Sequence, residues 1–319
     1  MRIVSLFSGV GGLDLGFILA GHEVVWANDI DPNAVKTYRM NIGDHIVQGY
    51  IQEIPSNRIP ESDIVIGGFP CQGFSMANMK RRASDIRNSL YLELLRVIAD
   101  KKPLYFLAEN VKGLVTLEGG RVLSLILRDF EDAGYRVKYK VLNAADYGVP
   151  QVRHRVIFIG EREDRTQTID FPPPTHADPS SGTRLFLRPW VTISEALRGV
   201  PEPDTNSTIH NHTYSKYKLR FNGYLGHRRI DPDRPAPTVT ARGDDRGGVV
   251  VLHHPSNQRR MSARELALVQ SFPIDFEFAG CQSSVYRLVA NAVPPLLAKA
   301  LGSMFPVGES HGRAYKTAR

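Results

Sequence analysis

The chain has 319 residues, of which 42% are hydrophobic, and its formal net charge at pH 7 is +7. This length suffices for one large domain or two smaller ones, and the basic charge makes nucleic acid a candidate partner. The two cysteines, Cys71 and Cys281, exclude a disulfide framework, and the sequence has neither a signal-peptide pattern nor an apolar run of about 18 residues. We therefore expect a soluble, cytoplasmic protein.

The first half of the sequence alternates short β-branched runs with longer helical patterns. Strands are predicted over 2–7, 23–29, 63–68 and 104–110. Helices are predicted up to Gly21, from Pro32 with Asp31 as N-cap, from Asn88 or Ser89 through Ala99, and over 119–134. Two later runs, 135–142 and 155–161, are joined by a loop and should pair antiparallel. This order predicts an α/β fold with a doubly wound parallel sheet.

The pattern changes after about Phe171. Residues 171–255 are rich in proline, glycine, histidine and arginine and have weak periodicity, which favours a second, smaller, loop-rich domain. Helical patterns return at 262–270 and 294–305. We expect the larger domain to comprise residues 1–171 and 275–319, and the smaller domain residues 172–274.

A glycine-rich loop, "FSGVGGLDLG", lies between the first predicted strand and helix. Its glycines allow backbone N–H groups to approach a polar or anionic ligand at a helix N-terminus. The dinucleotide fingerprint G-x-G-x-x-G fails at its last position, which is Asp14. Asp29 ends the second strand about 20 residues on, where an acid typically binds a ribose hydroxyl. These features together predict a nucleoside site.

Two further strands end in reactive or charged side chains. The third predicted strand leads into "GGFPCQGFS", with Cys71, and the fourth ends in "AEN", with Glu109 and Asn110. Ligands of parallel sheets bind beyond the carboxyl ends of the strands. We therefore expect the nucleoside loop, the thiol and the carboxylate to share one edge of the sheet.

With these motifs, the sequence resembles a known family, the DNA (cytosine-5) methyltransferases of bacterial restriction–modification systems. The resemblance rests on seven segments in order: "FSGVGGLDLG", "NDIDP", "GGFPCQGFS", "AENVKGL", "YGVPQVRHRVIFIG", "RRMSARELALVQSFP" and "NAVPPLLAKAL". It implies a Rossmann-like domain dependent on S-adenosyl-L-methionine. The variable segment between the fifth and sixth motifs would be the target-recognition domain.

The resemblance implies five catalytic residues. The Cys71 thiolate would attack C6 of a flipped-out cytosine, so that C5 accepts the methyl group through a covalent intermediate. Glu109 would contact N3 and the exocyclic amine of the base, and Asn110 would order the Cys71 turn. Arg153 and Arg155, two positions apart in an extended stretch, should share a face. By resemblance Arg155 supports the base and Glu109, and Arg153 lies beside the cysteine.

The cofactor contacts also follow from the resemblance. They are Phe7, Ser8, Gly9, Gly11 and Gly12 at the methionine end, Asp29 at the ribose, Ile30 at the adenine, and Pro70, Leu90, Asn291 and Ala292 around the pocket. The chain departs from the family at Tyr50, where an acid commonly contacts the adenine amine. Backbone groups or stacking would then hold the adenine.

Contacts to duplex DNA are expected on both sides of the bound base. The expected residues are Gln72, Ser75, Arg81 and Arg82 near the catalytic turn, and Arg228, Arg229, Thr238, Arg242 and Arg246 in the variable segment. Gln72 would fill the gap left by the flipped base. The basic run 79–88 would form a lid that grips phosphate. The resemblance further suggests a nucleoid-associated monomer with a separate restriction endonuclease as partner.

Three alternative functions remain at the level of the sequence. A tRNA cytosine-5 methyltransferase of the same fold is disfavoured by the long basic variable segment. A nicotinamide-dependent dehydrogenase is disfavoured by the broken glycine fingerprint, and a non-catalytic DNA-binding protein by the complete set of catalytic residues. The histidine pairs at 210–212 and 253–254 lack nearby cysteines and ligand-type spacing, so no metal is expected.

Overall fold

A computed structural model describes most of the chain. The described residues are 1–70, 90–166, 168–182, 186–204, 208–223, 227–241 and 250–307. Seven residues of the predicted site lie outside them: Cys71, Gln72, Ser75, Arg81, Arg82, Arg242 and Arg246. The structural account below therefore concerns the remaining residues of the predicted site.

The elements of the described ranges follow the predicted order. The strands are β1 (Arg2–Leu6), β2 (Glu23–Asp29), β3 (Ile46–Gln48), β4 (Ile64–Gly68), β5 (Tyr105–Val111), β6 (Tyr135–Asn143), β7 (His154–Arg162), β8 (His176–Ala177) and β9 (Arg188–Pro189). The α-helices are α1 (Gly12–Leu19), α2 (Pro32–Asn41), α3 (Tyr91–Lys101), α4 (Arg121–Asp132), α5 (Ile193–Ala196), α6 (Ala263–Val269), α7 (Gln282–Asn291) and α8 (Pro295–Gly302).

Strands β1 to β7 form one sheet in the order β3-β2-β1-β4-β5-β7-β6. Strands β1 to β5 pair with one another in parallel. Strand β7 pairs antiparallel with both β5 and β6. The α/β prediction and the antiparallel pairing of the two late strands are confirmed. Parallel pairing places the carboxyl ends of β1, β2, β4 and β5 along one edge of the sheet.

Each face of the sheet is covered by its own hydrophobic core, because successive side chains of a strand point to opposite faces. Ile3, on one face, belongs to the core that packs against α1, α2 and α8. Its neighbour Val4 belongs to the core on the other face, which packs against α3 and α4. The continuous apolar runs in the strands are therefore explained by burial on both sides.

A third hydrophobic core lies outside the two faces of the sheet. It combines side chains of the variable segment, such as Ile193, Ile230 and Val239, with side chains of α6 and α7, such as Leu266 and Tyr286. Val10 of the glycine-rich loop also belongs to it. The part of the chain that lacks regular periodicity thus packs against helices next to the predicted cofactor loop.

Two elements of the sheet domain were missed at the level of the sequence. Strand β3 has only three residues, which is too short for a recognisable alternation. Helix α7 begins after Cys281, which gives no side-chain cap, so the usual start signal is missing. Helix α4 was predicted two residues too long at each end.

Helix α1 packs against α8 at a very short separation. A Cβ atom at Gly16 would lie 2.2 Å from the Cβ of Ala298 and 2.5 Å from the backbone nitrogen of Lys299. A real Cβ atom does not approach backbone atoms so closely, so glycine at this position is what permits the contact. The packing holds the helix that follows the glycine-rich loop in place.

We predict that Gly16→Ala will lower the free energy of unfolding by about 1–3 kcal/mol through overpacking. The intrinsic helix preference of alanine over glycine, about 1 kcal/mol, acts in the opposite direction and is too small to compensate. Denaturant unfolding of the two proteins measures the difference. Gly113→Ala is the control, because a Cβ there meets no atom within 4 Å; equal stability of the two variants would contradict the packing argument.

Candidate active site

The glycine-rich loop leaves β1 and turns sharply before α1. The Gly11 N–H donates to the Ser8 carbonyl (2.8 Å), and Phe7, Gly9 and Gly11 all have positive φ angles, of 55°, 56° and 85°. A positive φ is strained for phenylalanine, and such strain is common in ligand-binding loops. A Cβ at Gly9 would meet no atom of the described residues within 4 Å, so these residues leave the surface over Gly9 open.

Asp29 connects this loop to the end of β2. One carboxylate oxygen accepts from the Gly9 N–H (2.8 Å) and the other from the Asp31 N–H (2.8 Å). Burial raises the pKa of Asp29, while these two backbone donors oppose the rise. The predicted ribose-binding acid therefore lies directly beside the predicted nucleoside loop.

Two large apolar side chains stand exposed next to Asp29. Ile30 is 48% exposed and Tyr50 is 56% exposed. The backbone connects their loops, because the Gly49 N–H donates to the Asp29 carbonyl (3.1 Å) and Asn28 Nδ2 donates to the Gly49 carbonyl (3.1 Å). Exposed apolar side chains in a cleft commonly receive a ligand.

The other predicted cofactor residues fall into two groups. Ser8 is buried and donates from both its N–H and its Oγ to the Asn28 carbonyl. A Cβ at Gly12 would lie 2.3 Å from the Val293 carbonyl oxygen, so this glycine allows the 291–293 turn to approach the loop. The second group is defined by its place in the chain: Pro70 follows the end of β4, Leu90 precedes α3, and Asn291 and Ala292 lie at the end of α7.

Glu109 and Arg155 form an ion pair at the same edge. Arg155 Nε lies 2.7 Å from Glu109 Oε1, and both side chains are mostly buried. The pairing follows from the sheet register, in which Glu109 of β5 lies two positions from the partner of Arg155. The second carboxylate oxygen of Glu109 lies over Gly68, where a Cβ would be 3.1 Å away. The carboxylate thus lies beside Gly68, which precedes Cys71 by three residues in the sequence.

Asn110 is buried next to this ion pair. Its Nδ2 donates to the Phe69 carbonyl (3.0 Å), and its Oδ1 accepts from the Val111 N–H (2.8 Å). The side chain therefore holds the backbone two residues before Cys71. The structure brings Glu109, Asn110 and Arg155 together next to the backbone that leads to Cys71.

Arg153 has different partners from Arg155. It is 1% exposed, and its guanidinium donates to the carbonyls of Val239 (2.8 Å), Ala290 (2.8 Å) and Ala292 (3.1 Å). Burial and the nearby Arg155 hold the pKa of Arg153 well below its usual range. Its side chain joins the variable segment to the turn at the end of α7.

Two buried glutamines beside Arg153 were missed at the level of the sequence. Gln151 Nε2 donates to Gln270 Oε1 (2.9 Å), and Gln151 Oε1 accepts from the Val239 N–H (3.0 Å). Gln270 in turn donates to the Val289 carbonyl (2.8 Å). Gln151 lies in the motif "YGVPQVRHR" and Gln270 in the motif "RRMSARELALVQSFP". Their places in these motifs were the signal by which the sequence could have identified them.

The described residues of the DNA-binding prediction lie in the variable segment. Thr238 Oγ1 donates to the Val152 carbonyl (2.7 Å), next to Arg153. Arg228 and Arg229 are exposed; the first donates to the Gly223 carbonyl (2.8 Å), and the second stacks on Phe221 at 4.9 Å. Thr238 therefore connects this segment to the site, while the two arginines face solvent.

Comparisons with known proteins identify the family of the chain. The sequence model of the family of C-5 cytosine-specific DNA methylases matches residues 1–305. Type II methyltransferase M.NgoFVII of Neisseria gonorrhoeae is 41% identical over 317 residues, which cover 92% of this chain and 83% of that protein. Type II methyltransferase M.FnuDI of Fusobacterium nucleatum is 37% identical over 323 residues, which cover 93% and 92%.

Solved structures share the fold. A crystal structure described as a prophage-encoded DNA modification methyltransferase of E. coli aligns with a TM-score of 0.75 at 25% identity, over 95% of this chain and 97% of that one. The Dnmt2 methyltransferase of S. pombe aligns with a TM-score of 0.62 at 20% identity, over 95% and 97%.

One further observation concerns the membrane. Within the described ranges, no helix has the length and apolar character needed to cross a bilayer.

Taken together, the family match, the relatives and the edge of the sheet occupied by Asp29, Glu109 and Arg155 lead to one assignment. The chain belongs to the C-5 cytosine-specific DNA methylase family and is a DNA (cytosine-5) methyltransferase.

Proposed function

We propose that the chain transfers a methyl group from S-adenosyl-L-methionine to C5 of a cytosine that is flipped out of a short, specific duplex site. The observation that carries this proposal is the Glu109–Arg155 ion pair at the carboxyl edge of the sheet. One carboxylate oxygen of Glu109 lies beside Gly68, which precedes Cys71 by three residues in the sequence. The relatives are Type II methyltransferases, so we further propose that the methylation protects DNA from a separate restriction endonuclease. We expect a monomer associated with the nucleoid.

The residues around the glycine-rich loop fit S-adenosyl-L-methionine, which supplies an electrophilic methyl group when bound. The open surface over Gly9 allows close approach of a ligand to the backbone. Asp29 has carboxylate oxygens suited to accept from ribose hydroxyls, and the exposed Ile30 offers an apolar face to the adenine. Phe7, Ser8, Gly11 and Gly12 shape the methionine end, and Pro70, Leu90, Asn291 and Ala292 complete the pocket.

Tyr50 replaces the acid that commonly contacts the adenine amine in the resemblance described above. Its exposed ring lies next in sequence to Gly49, which is hydrogen-bonded to Asp29. A ring in this place can stack on a base but cannot accept a charge-assisted hydrogen bond. We propose that stacking and backbone groups hold the adenine in this chain.

The chemistry at the cytosine begins at Cys71. Its thiolate adds to C6, and the displaced π electrons make C5 nucleophilic. Carbon 5 then takes the methyl group. Loss of the C5 proton restores the double bond and expels the Cys71 thiolate, so that the enzyme returns to its starting state.

Glu109 and its neighbours position the base for this reaction. Arg155 Nε binds one carboxylate oxygen, which orients the other toward Gly68 and the catalytic turn. From there Glu109 contacts N3 and the exocyclic amine, and a shared proton at N3 stabilises the negative charge that develops on the ring. Asn110 fixes the approach of the Cys71 turn through the Phe69 carbonyl.

Arg153 acts as a positioning residue in this scheme. Its three backbone acceptors are the carbonyl of Val239, which follows Thr238, and the carbonyls on both sides of Asn291. The guanidinium therefore keeps the Thr238–Val239 segment at a fixed place relative to the turn that is proposed to hold the cofactor. The resemblance places the same residue beside Cys71, and one buried side chain can serve both purposes.

The target-recognition domain, residues 172–274, is proposed to read the DNA sequence. Thr238 positions it against Val152, and the exposed Arg228 and Arg229 offer guanidiniums to phosphate or guanine. Gln72, Ser75, Arg81 and Arg82 are proposed to hold the DNA on the side of the catalytic turn, and Arg242 and Arg246 to contribute from the second recognition loop.

The experiment that tests this function uses random duplex DNA. The purified protein and S-adenosyl-L-methionine are incubated with the library, and bisulfite sequencing maps 5-methylcytosine. We expect methylation confined to one short motif. A parallel incubation with tRNA tests the alternative substrate, and methylation of tRNA without any methylation of duplex DNA would overturn the proposal.

We predict that Cys71→Ala will lower kcat for methyl transfer by at least about 10³-fold, because the covalent route is lost. Duplexes that carry 5-fluorocytosine give a second readout. The fluorine replaces the C5 proton that must leave, so the wild-type protein should remain covalently attached in denaturing electrophoresis and the variant should not.

Cys281→Ala is the matched control, since this exposed cysteine precedes α7 and lies outside the proposed machinery. It should retain wild-type activity and form the adduct. Adduct formation by Cys71→Ala would show that another nucleophile is used.

We also predict that Glu109→Gln will lower kcat by about 10²-fold or more, because the amide retains an oxygen for Arg155 but cannot hold a shared proton. The size of the side chain is unchanged, so the midpoint of thermal unfolding should shift little. Steady-state kinetics on a methylatable duplex gives kcat. Glu61→Gln, which removes a carboxylate bound to Lys101 on the surface, should behave as the wild type; an equal loss of kcat in both variants would argue against a role specific to Glu109.

A further inference from the structure

Asp14 is a buried carboxylate that the mechanism above does not use. It lies in the first turn of α1, where the dinucleotide fingerprint would have its third glycine, and it is 0% exposed. Ser5 Oγ donates to one of its oxygens (2.7 Å) and Tyr38 Oη donates to the other (2.8 Å). A carboxylate buried at this depth with two donors is costly unless it serves a purpose.

The same hydrogen-bond chain reaches a half-buried histidine. Tyr38 Oη lies 3.0 Å from His45 Nε2, and the two rings meet edge to face at 5.4 Å. Because the tyrosine hydroxyl donates to Asp14, its oxygen accepts from His45.

The hydrogen-bonded series Asp14–Tyr38–His45 lies directly beneath the glycine-rich loop. A Cβ at Gly11 would be 2.9 Å from the Tyr38 ring, so the ring supports the loop from below. Asp29, which binds the Gly9 N–H above, is close enough to raise the pKa of Asp14 through charge repulsion. The negative charge of Asp14 is thus placed under the loop that is proposed to receive the methionine end of the cofactor.

Charged groups on β2 and before β3 face Asp14 and His45. Asp14 faces Asp29 at the end of β2, and His45 faces Asp44 beside it and Glu23 at the start of β2. Burial raises the pKa of Asp14 to about 6, although the bonds from Ser5 and Tyr38 oppose the rise. Burial lowers the pKa of His45. Asp14 is therefore ionised at neutral pH and becomes neutral in mild acid, while His45 is neutral at neutral pH.

We propose that the Asp14 carboxylate, held by Ser5 and Tyr38 beneath the glycine-rich loop, makes the site favour a cationic cofactor over its neutral product. This inference rests on the proposed cofactor. S-adenosyl-L-methionine carries a sulfonium charge, and S-adenosyl-L-homocysteine lacks both that charge and the methyl group. A buried negative charge interacts strongly through the low-dielectric interior, so it stabilises the first ligand and has little effect on the second. The site then holds the product less tightly once the methyl group has left.

The test measures equilibrium binding of the two ligands by calorimetry, without DNA, so that no turnover occurs. The quantity of interest is the Kd of S-adenosyl-L-homocysteine divided by the Kd of S-adenosyl-L-methionine, between pH 5 and 7.5. In the wild type this ratio should fall by at least about threefold as pH drops through the pKa of Asp14 and its charge is lost. In Asp14→Asn the ratio should be low and independent of pH.

Tyr38→Phe gives a signature that a merely structural role would not produce. Loss of the donor to Asp14 raises the pKa of that carboxyl further, so the midpoint of the change in the ratio should move to higher pH. Two matched controls should keep the wild-type profile. Tyr135→Phe removes a buried hydroxyl that donates to the Pro103 carbonyl, and Asp63→Asn removes a carboxylate that accepts from the Arg2 N–H.

The outcomes separate the inference from the proposed function. If the wild type binds neither ligand, the proposed cofactor is wrong. If it binds both and the ratio does not depend on pH, or if Asp14→Asn keeps the wild-type profile, the role of Asp14 is refuted. Should Asp14→Asn fail to fold, the shift of the midpoint in Tyr38→Phe decides: no shift also refutes it.

Discussion

The buried guanidinium of Arg153 determines how the main parts of the molecule are placed relative to each other. It binds carbonyls of Val239, Ala290 and Ala292, which lie 86, 137 and 139 residues further along the chain. A buried charge without partners would cost several kcal/mol, so these carbonyls must stay where the side chain can reach them. The segment at Val239, the end of α7 and the start of β7 are thereby held together.

The neighbouring polar groups extend this connection. Gln151 binds both Val239 and Gln270, and Gln270 binds the Val289 carbonyl. Each of these polar groups is buried, and buried amides that find partners fix one arrangement more strictly than apolar contacts do. A buried polar network thus links the segment proposed to read DNA with the turn proposed to hold the cofactor, in a region where apolar packing alone would allow sliding.

The edge of the parallel sheet supplies the second constraint. Side chains at the ends of β1, β2, β4 and β5 meet there because parallel strands end together. Asp29 binds the loop after β1, and Glu109 stands beside the end of β4. The residues proposed to hold the cofactor, on β1 and β2, and those proposed to hold the base, on β4 and β5, therefore lie on two neighbouring strand pairs of one sheet, and their spacing is set by backbone hydrogen bonds.

Much of this arrangement follows from the sequence alone. The apolar strand runs, the glycine-rich loop and the positions of Asp29 and Glu109 at strand ends are local patterns, and local patterns constrain residues that are near in the chain. The short strand β3 and the uncapped helix α7 escaped because they carry too few such signals. The shared face expected for Arg153 and Arg155 rested on regular alternation, yet β7 begins only at His154, so Arg153 precedes the strand and binds elsewhere.

The sequence by itself thus determined the α/β fold, the family and the edge of the sheet at which Asp29 and Glu109 lie. Only the tertiary structure decided which partner each charged side chain has: Glu109 for Arg155, backbone carbonyls for Arg153, and Ser5 with Tyr38 for Asp14. The physical reason is that hydrogen bonds and burial depend on distance in space. Residues far apart in the chain meet only after the sheet and its helices have packed.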